Sequence, residues 1–116
     1  MGVIGPEIFD SDECGDFLSE ICKQLLETVR DDLKFENGYY ERPTPGAISV
    51  LVGILKHIYI ARAFVGSREI TNFRDRYLRW YDVVKNEWGA TPEFNQQARD
   101  IVEQEFNALI ALCLSE

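Results

Sequence analysis

Residues 47–65 read AISVLVGILKHIYIARAFV, and this stretch decides the fold. It is apolar almost all the way round, the pattern of a helix enclosed by other helices. Thr44 and Pro45 stand before it as N-cap and first-turn proline, a helix-start signal. Gly46, Ser49 and Gly53 form a strip of small residues where another backbone can come close. Arg62 falls between Leu51 and Leu55, in the middle of the apolar arc, on a wheel of about 100° per residue. A charge at that place needs a partner, or must reach solvent near the helix end.

Three further helices are expected around this one. The first starts near Asp10 or Ser11, where Asp10 and Glu13 have the spacing of a capping box, and runs to about Leu33. Phe17, Leu18, Ile21, Cys22, Leu25 and Val29 share one of its faces. A third helix, capped by Thr71, runs to about Trp88 with an aromatic stripe that includes Phe73, Tyr77, Trp80 and Tyr81. Gly89 closes it, and Thr91-Pro92-Glu93 opens a fourth that runs nearly to the C-terminus. Before the first helix, residues 1–9 form an irregular hook broken by Gly2, Gly5 and Pro6, with Ile4, Ile8 and Phe9 able to pin it to the core. Asn37-Gly38 marks a turn in the linker that also holds Tyr39 and Tyr40.

The polar face of the first helix is hard to explain by folding alone. Glu13, Asp16, Glu20, Glu27 and Asp31 fall within an arc of about 60°. Asp16 with Glu20 and Glu27 with Asp31 are like-charge i, i+4 pairs, each unfavourable by roughly 0.2–0.5 kcal/mol. Glu27, Asp31 and Asp32 also lie near the helix end whose dipole disfavours acids. These five ridge residues are the candidate partner-binding set.

On the fourth helix Phe94, Ala98, Ile101, Val102, Phe106, Leu109 and Leu112 form the apolar side, with Glu105 at its centre. One acid and one base, Glu105 and Arg62, are thus each centred on an apolar face. They are expected to meet as a buried ion pair, because a lone buried charge is costly and a bidentate pair can be satisfied.

At 116 residues, 46% of them hydrophobic and 28% charged, the chain has the size and composition of one domain, 1–116, with a single core. Residues 1–41 hold eleven acids against three bases, 42–88 four against eight, and 89–116 five against one, which gives the net −8. That balance argues against nucleic acid and favours a partner with a basic surface. The arginines near the aromatic stripe, Arg74, Arg76 and Arg79, scatter around their helix with acids among them, so they read as a solvated face. Lys56, His57 and Arg62 exclude a membrane span, since a charge at mid-bilayer costs about 2.5–3.5 kcal/mol or more. The opening MGVIGPEIF has neither a basic region nor a long apolar run, so no secretory signal is expected, and Pro6 breaks the myristoylation pattern. Cys14, Cys22 and Cys113 read as reduced packing residues of a cytoplasmic protein.

No metal-ligand set, phosphate loop, dinucleotide fingerprint or nucleophile elbow is present, and His57 is the sole histidine. Asp10-Ser11-Asp12-Glu13 lacks the glycine and terminal glutamate of a calcium loop and is better explained by capping. Neither catalytic residues nor a cofactor are expected.

The run Met1-Gly2-Val3-Ile4-Gly5-Pro6-Glu7-Ile8-Phe9-Asp10-Ser11-Asp12, followed by Asp16-Phe17, resembles the opening of bacterial domain-of-unknown-function family 4259. Gly2, Gly5, Phe9, Asp10, Asp12 and Asp16 match, while Ile4 replaces a tryptophan and Ser11 an asparagine. The resemblance covers the N-terminal half, implies a small helical bacterial protein, and carries over no activity or site residue.

The expectation is therefore an all-α, four-helix bundle-like domain with an N-terminal hook and a central, largely buried second helix. The expected role is a non-enzymatic protein-binding module, most concretely an immunity-type protein that covers a toxin domain with its acidic helix face. A small-ligand binder or enzyme built on Arg62 and Glu105 is the alternative, and a homodimeric structural protein a third possibility.

Overall fold

A computed structural model describes residues 8–35, 42–87 and 89–114, and of Asp10 the backbone alone. The described residues are helical, without strands, and form an all-α bundle-like arrangement: α1 Asp12–Asp32, α2 Thr44–His57, α3 Ser67–Val84 and α4 Pro92–Leu112. Short 3-10 turns lie at Ile8–Asp10, Tyr59–Phe64 and Lys85–Glu87. Most of the expected hook, the Asn37-Gly38 turn, Tyr39, Tyr40 and Trp88 lie outside the described residues.

Helix α2 sits between α1 and α4, and α3 packs on α4. Ile48, Leu51 and Leu55 of α2 are fully buried with Cys22 and Val29 of α1, Ile70 of α3, and Phe106 and Leu109 of α4. The central position expected for α2 is thus correct, but its length and enclosure need correction. It ends at His57, and Val50 on its outer side is 52% exposed. Ile58 turns extended (φ −126°, ψ 96°) while its N–H still bonds the Ile54 carbonyl at 2.8 Å. No glycine or proline forces this break. His57, Ile58, Tyr59 and Ile60 are β-branched or aromatic, with weak helix preference. Leaving the helix lets Ala61 and Val65 bury.

Helix starts also differ from expectation. Of the two expected starts for α1, Asp10 and Ser11, it is Ser11 that caps the helix, its Oγ accepting from the Cys14 N–H at 3.3 Å. Thr44 lies inside the first turn of α2 rather than capping it, because its hydroxyl is drawn to Asp32. Helix α3 begins four residues before Thr71, which donates to the Ser67 carbonyl at 2.9 Å from within the helix. At α4 the expected cap holds, with Thr91 Oγ1 accepting from Phe94 N–H at 3.1 Å. The aromatic stripe of α3 is buried, with the Tyr77 ring stacked near Tyr81 and tilted against Trp80 and Phe106.

The buried faces of the outer helices are narrower than the sequence pattern. On α1 they comprise Leu18, Cys22, Leu26 and Val29, while Phe17 is 57% and Ile21 36% exposed. The reason is neighbour number: α1 rests on α2 and the turn after it, so a narrow seam is covered rather than a broad face. On α4 likewise Phe106 and Leu109 are buried, and Phe94 and Ile101 face out.

Candidate functional site

The five ridge residues Glu13, Asp16, Glu20, Glu27 and Asp31 are all exposed on α1. Asp31 pairs with Lys34 at 3.1 Å across one turn. Glu13, Asp16, Glu20 and Glu27 make no salt bridge among the described residues. Of the two cations that flank them on α1, Lys23 is exposed and makes no salt bridge among the described residues, and Arg30 is engaged elsewhere. Arg30 donates to both carboxylate oxygens of Glu69 at 2.9 Å. Arg99 holds Asp82 through two bonds of 2.9 and 3.2 Å, with Lys85 on the same carboxylate. These contacts, the Arg99 hydrogen bond first, hold the Asp82 carboxyl below its usual range against the opposing effect of partial burial. The outcome is a net anionic strip, four unpaired carboxylates with Lys23 at their flank, whose edge carries the exposed Phe17 and Ile21.

The expected Arg62–Glu105 pair does not form. Because α2 stops at His57, Arg62 leaves the apolar arc. Its Nε donates to the Leu55 carbonyl at 3.1 Å, and its guanidinium lies 5.0 Å from the centre of the Tyr59 ring. Glu105 is half-buried on α4 and makes no ion pair among the described residues. The isolated cation in an apolar run marked the end of a helix, whose carbonyls lack partners and whose dipole favours positive charge.

A polar node that the sequence reading missed joins the end of α1 to the start of α2. Arg42 Nη1 donates to the backbone carbonyl of Asp32 at 2.7 Å and to its Oδ1 at 3.2 Å, and Nη2 donates to the Phe35 carbonyl. Thr44 Oγ1 donates to the other carboxylate oxygen, Oδ2. The Arg42 side chain is 2% exposed and lies 4.2 Å over the Trp80 ring. From α3, Arg76 adds a bond of 2.6 Å to the Leu33 carbonyl. Two arginines thus satisfy carbonyls at the α1 C-terminus, where positive charge suits the dipole. One signal was available: Asp32 at the wrong helix end, with an unassigned Arg42 just before the next helix.

Beside this node lies a cavity of about 210 Å³. Arg42 and Trp80 line it with Leu33 and Arg76, and Phe35, Arg79 and Val83 stand at its exposed side. Arg42 Nε is buried and has no hydrogen-bond partner among the described residues.

The three cysteines form no disulfide among the described residues, and burial pushes the Cys22 thiol up from its ordinary value. His57 is exposed at the last residue of α2. Among the described residues no cluster of His, Cys, Asp and Glu is placed to hold a metal, and no helix is long and apolar enough to cross a membrane. No family model matches the chain, and comparisons with curated proteins and with solved structures gave no match.

Proposed function

We propose that the chain is a protein-binding module that engages a basic partner surface through α1, in the manner of an immunity-type protein covering a toxin domain. One observation carries this reading. Four ridge carboxylates make no ion pair among the described residues and have Lys23 alone beside them, while Arg30, Arg74, Lys85 and Arg99 each hold an acid elsewhere on the surface. Like charges lined up along one helix cost stability, and a basic partner converts that cost into association energy. Charge complementarity of this kind raises the association rate and selects the partner. Phe17, at the edge of the strip, supplies the apolar anchor that charge alone lacks.

The test uses the protein encoded beside this chain's gene, produced in pure form. Calorimetric titration compares wild type, the E20K/E27K double variant and Phe17→Ala at low and high salt. Binding should weaken more than about tenfold on charge reversal and fall as salt rises, a tenfold change being about 1.4 kcal/mol. If that protein is a toxin, wild type should restore growth of cells expressing it and the double variant should not. Affinity indifferent to both salt and charge reversal sinks the reading.

A further inference from the structure

The geometry points to the cavity between the end of α1 and α3 as a binding site for a small organic anion with a flat apolar body. Its volume of about 210 Å³ equals the share of roughly seven waters at about 30 Å³ each. That is below the size of a drug-like pocket and suits a ligand of about ten non-hydrogen atoms.

Charge selects the class of ligand. Three guanidinium groups, from Arg42, Arg76 and Arg79, line the cavity. One carboxylate, Asp32, is paired with Arg42. Arg76 is partly engaged by the Leu33 carbonyl, which is neutral, and Arg79 is exposed without a hydrogen bond or ion pair among the described residues. Among the described residues the local balance is therefore two positive charges in excess. Arg76 and Arg79 are three residues apart on one helix, so their side chains leave from the same face. Planar guanidinium forks in that arrangement match a carboxylate or phosphate head group.

The walls select the body. Phe35 is 69% and Val83 72% exposed, and both line this cavity. Two large apolar side chains at the mouth gain by being covered. Behind them the Arg42 guanidinium, 2% exposed, is stacked on Trp80 and fixed by three oxygen atoms, which makes the floor rigid before any ligand arrives. This site is separate from the acidic strip of α1 and does not depend on it.

Phenylacetate, phenyl phosphate and the neutral phenylacetamide are the probes, titrated into the full chain and followed by amide chemical shifts. At least one anion should bind saturably with Kd below about 1 mM, moving signals of residues 33–35 and 76–83. The ratio of the two anions identifies the preferred head group, and binding by either supports the site. The amide should bind at least about tenfold more weakly. Arg79→Gln, an exposed substitution that leaves the core untouched, should weaken the anion by about tenfold, the loss of one charged donor. Equal affinity for amide and anions, unchanged affinity in Arg79→Gln, or shifts that do not saturate would each overturn the proposal.

Discussion

Arg62 Nε donates to the carbonyl oxygen of Leu55 at 3.1 Å, seven residues back along the chain. Through this contact the side chain closes the helix it follows. The backbone supports the same ending, since Ile58 N–H takes the Ile54 carbonyl just before the chain turns extended.

Arg62→Ala should therefore destabilise the fold by about 1 kcal/mol, the usual worth of a single hydrogen bond. Glu105→Ala should change stability by no more than about 0.5 kcal/mol. The double variant should equal the sum of the two within about 0.5 kcal/mol, because the residues share no contact. Urea unfolding of the four proteins measures this, and a coupling above about 1 kcal/mol contradicts the described geometry.

The sequence carried the parts of the fold that are set locally. Thr91-Pro92 starts α4 as written, and the stripe from Ile70 to Tyr81 is buried as its spacing required. The end of α2 was hidden because no breaker marks Ile58; β-branched and aromatic residues alone tip the balance there. The widths of the buried faces depend on how many neighbours each helix has, which no single helix encodes. The five ridge acids were legible because exposure follows from their own spacing. The Arg42–Asp32 bond joins residues ten apart through a tertiary approach, and only the awkward position of Asp32 hinted at it.

Arg42→Ala should cost far more than Arg62→Ala, about 3–5 kcal/mol, because it strands a largely buried carboxylate and two carbonyls. Removing the acid as well, in R42A/D32N, should recover part of the loss. The midpoints of urea unfolding compare the single and double variants; a fully additive double variant argues against the pair.

Tyr77 gives the fold an alkaline limit. Burial first, then the neighbouring Tyr81 and Asp32, pushes its phenol up to about 12. In the unfolded chain the group ionises near 10. Between those values the unfolded state binds fewer protons, so stability is intact below about pH 10 and falls as pH rises towards 12, by on the order of 2–3 kcal/mol. Tyr77→Phe should flatten this part of the stability curve, as followed by circular dichroism from pH 9 to 12.

Arg42 grips Asp32 and Phe35 on one side of residues 36–41 and belongs to the chain on the other. The two ends of this connection are thus held together by Arg42 and by the Thr44–Asp32 bond. Lengthening a loop already closed is inexpensive, about 0.6 kcal/mol for each doubling. A peptide tag or a small reporter domain spliced between Asn37 and Gly38 would leave the four rods in register, which makes this the place to attach a label without disturbing the acidic strip.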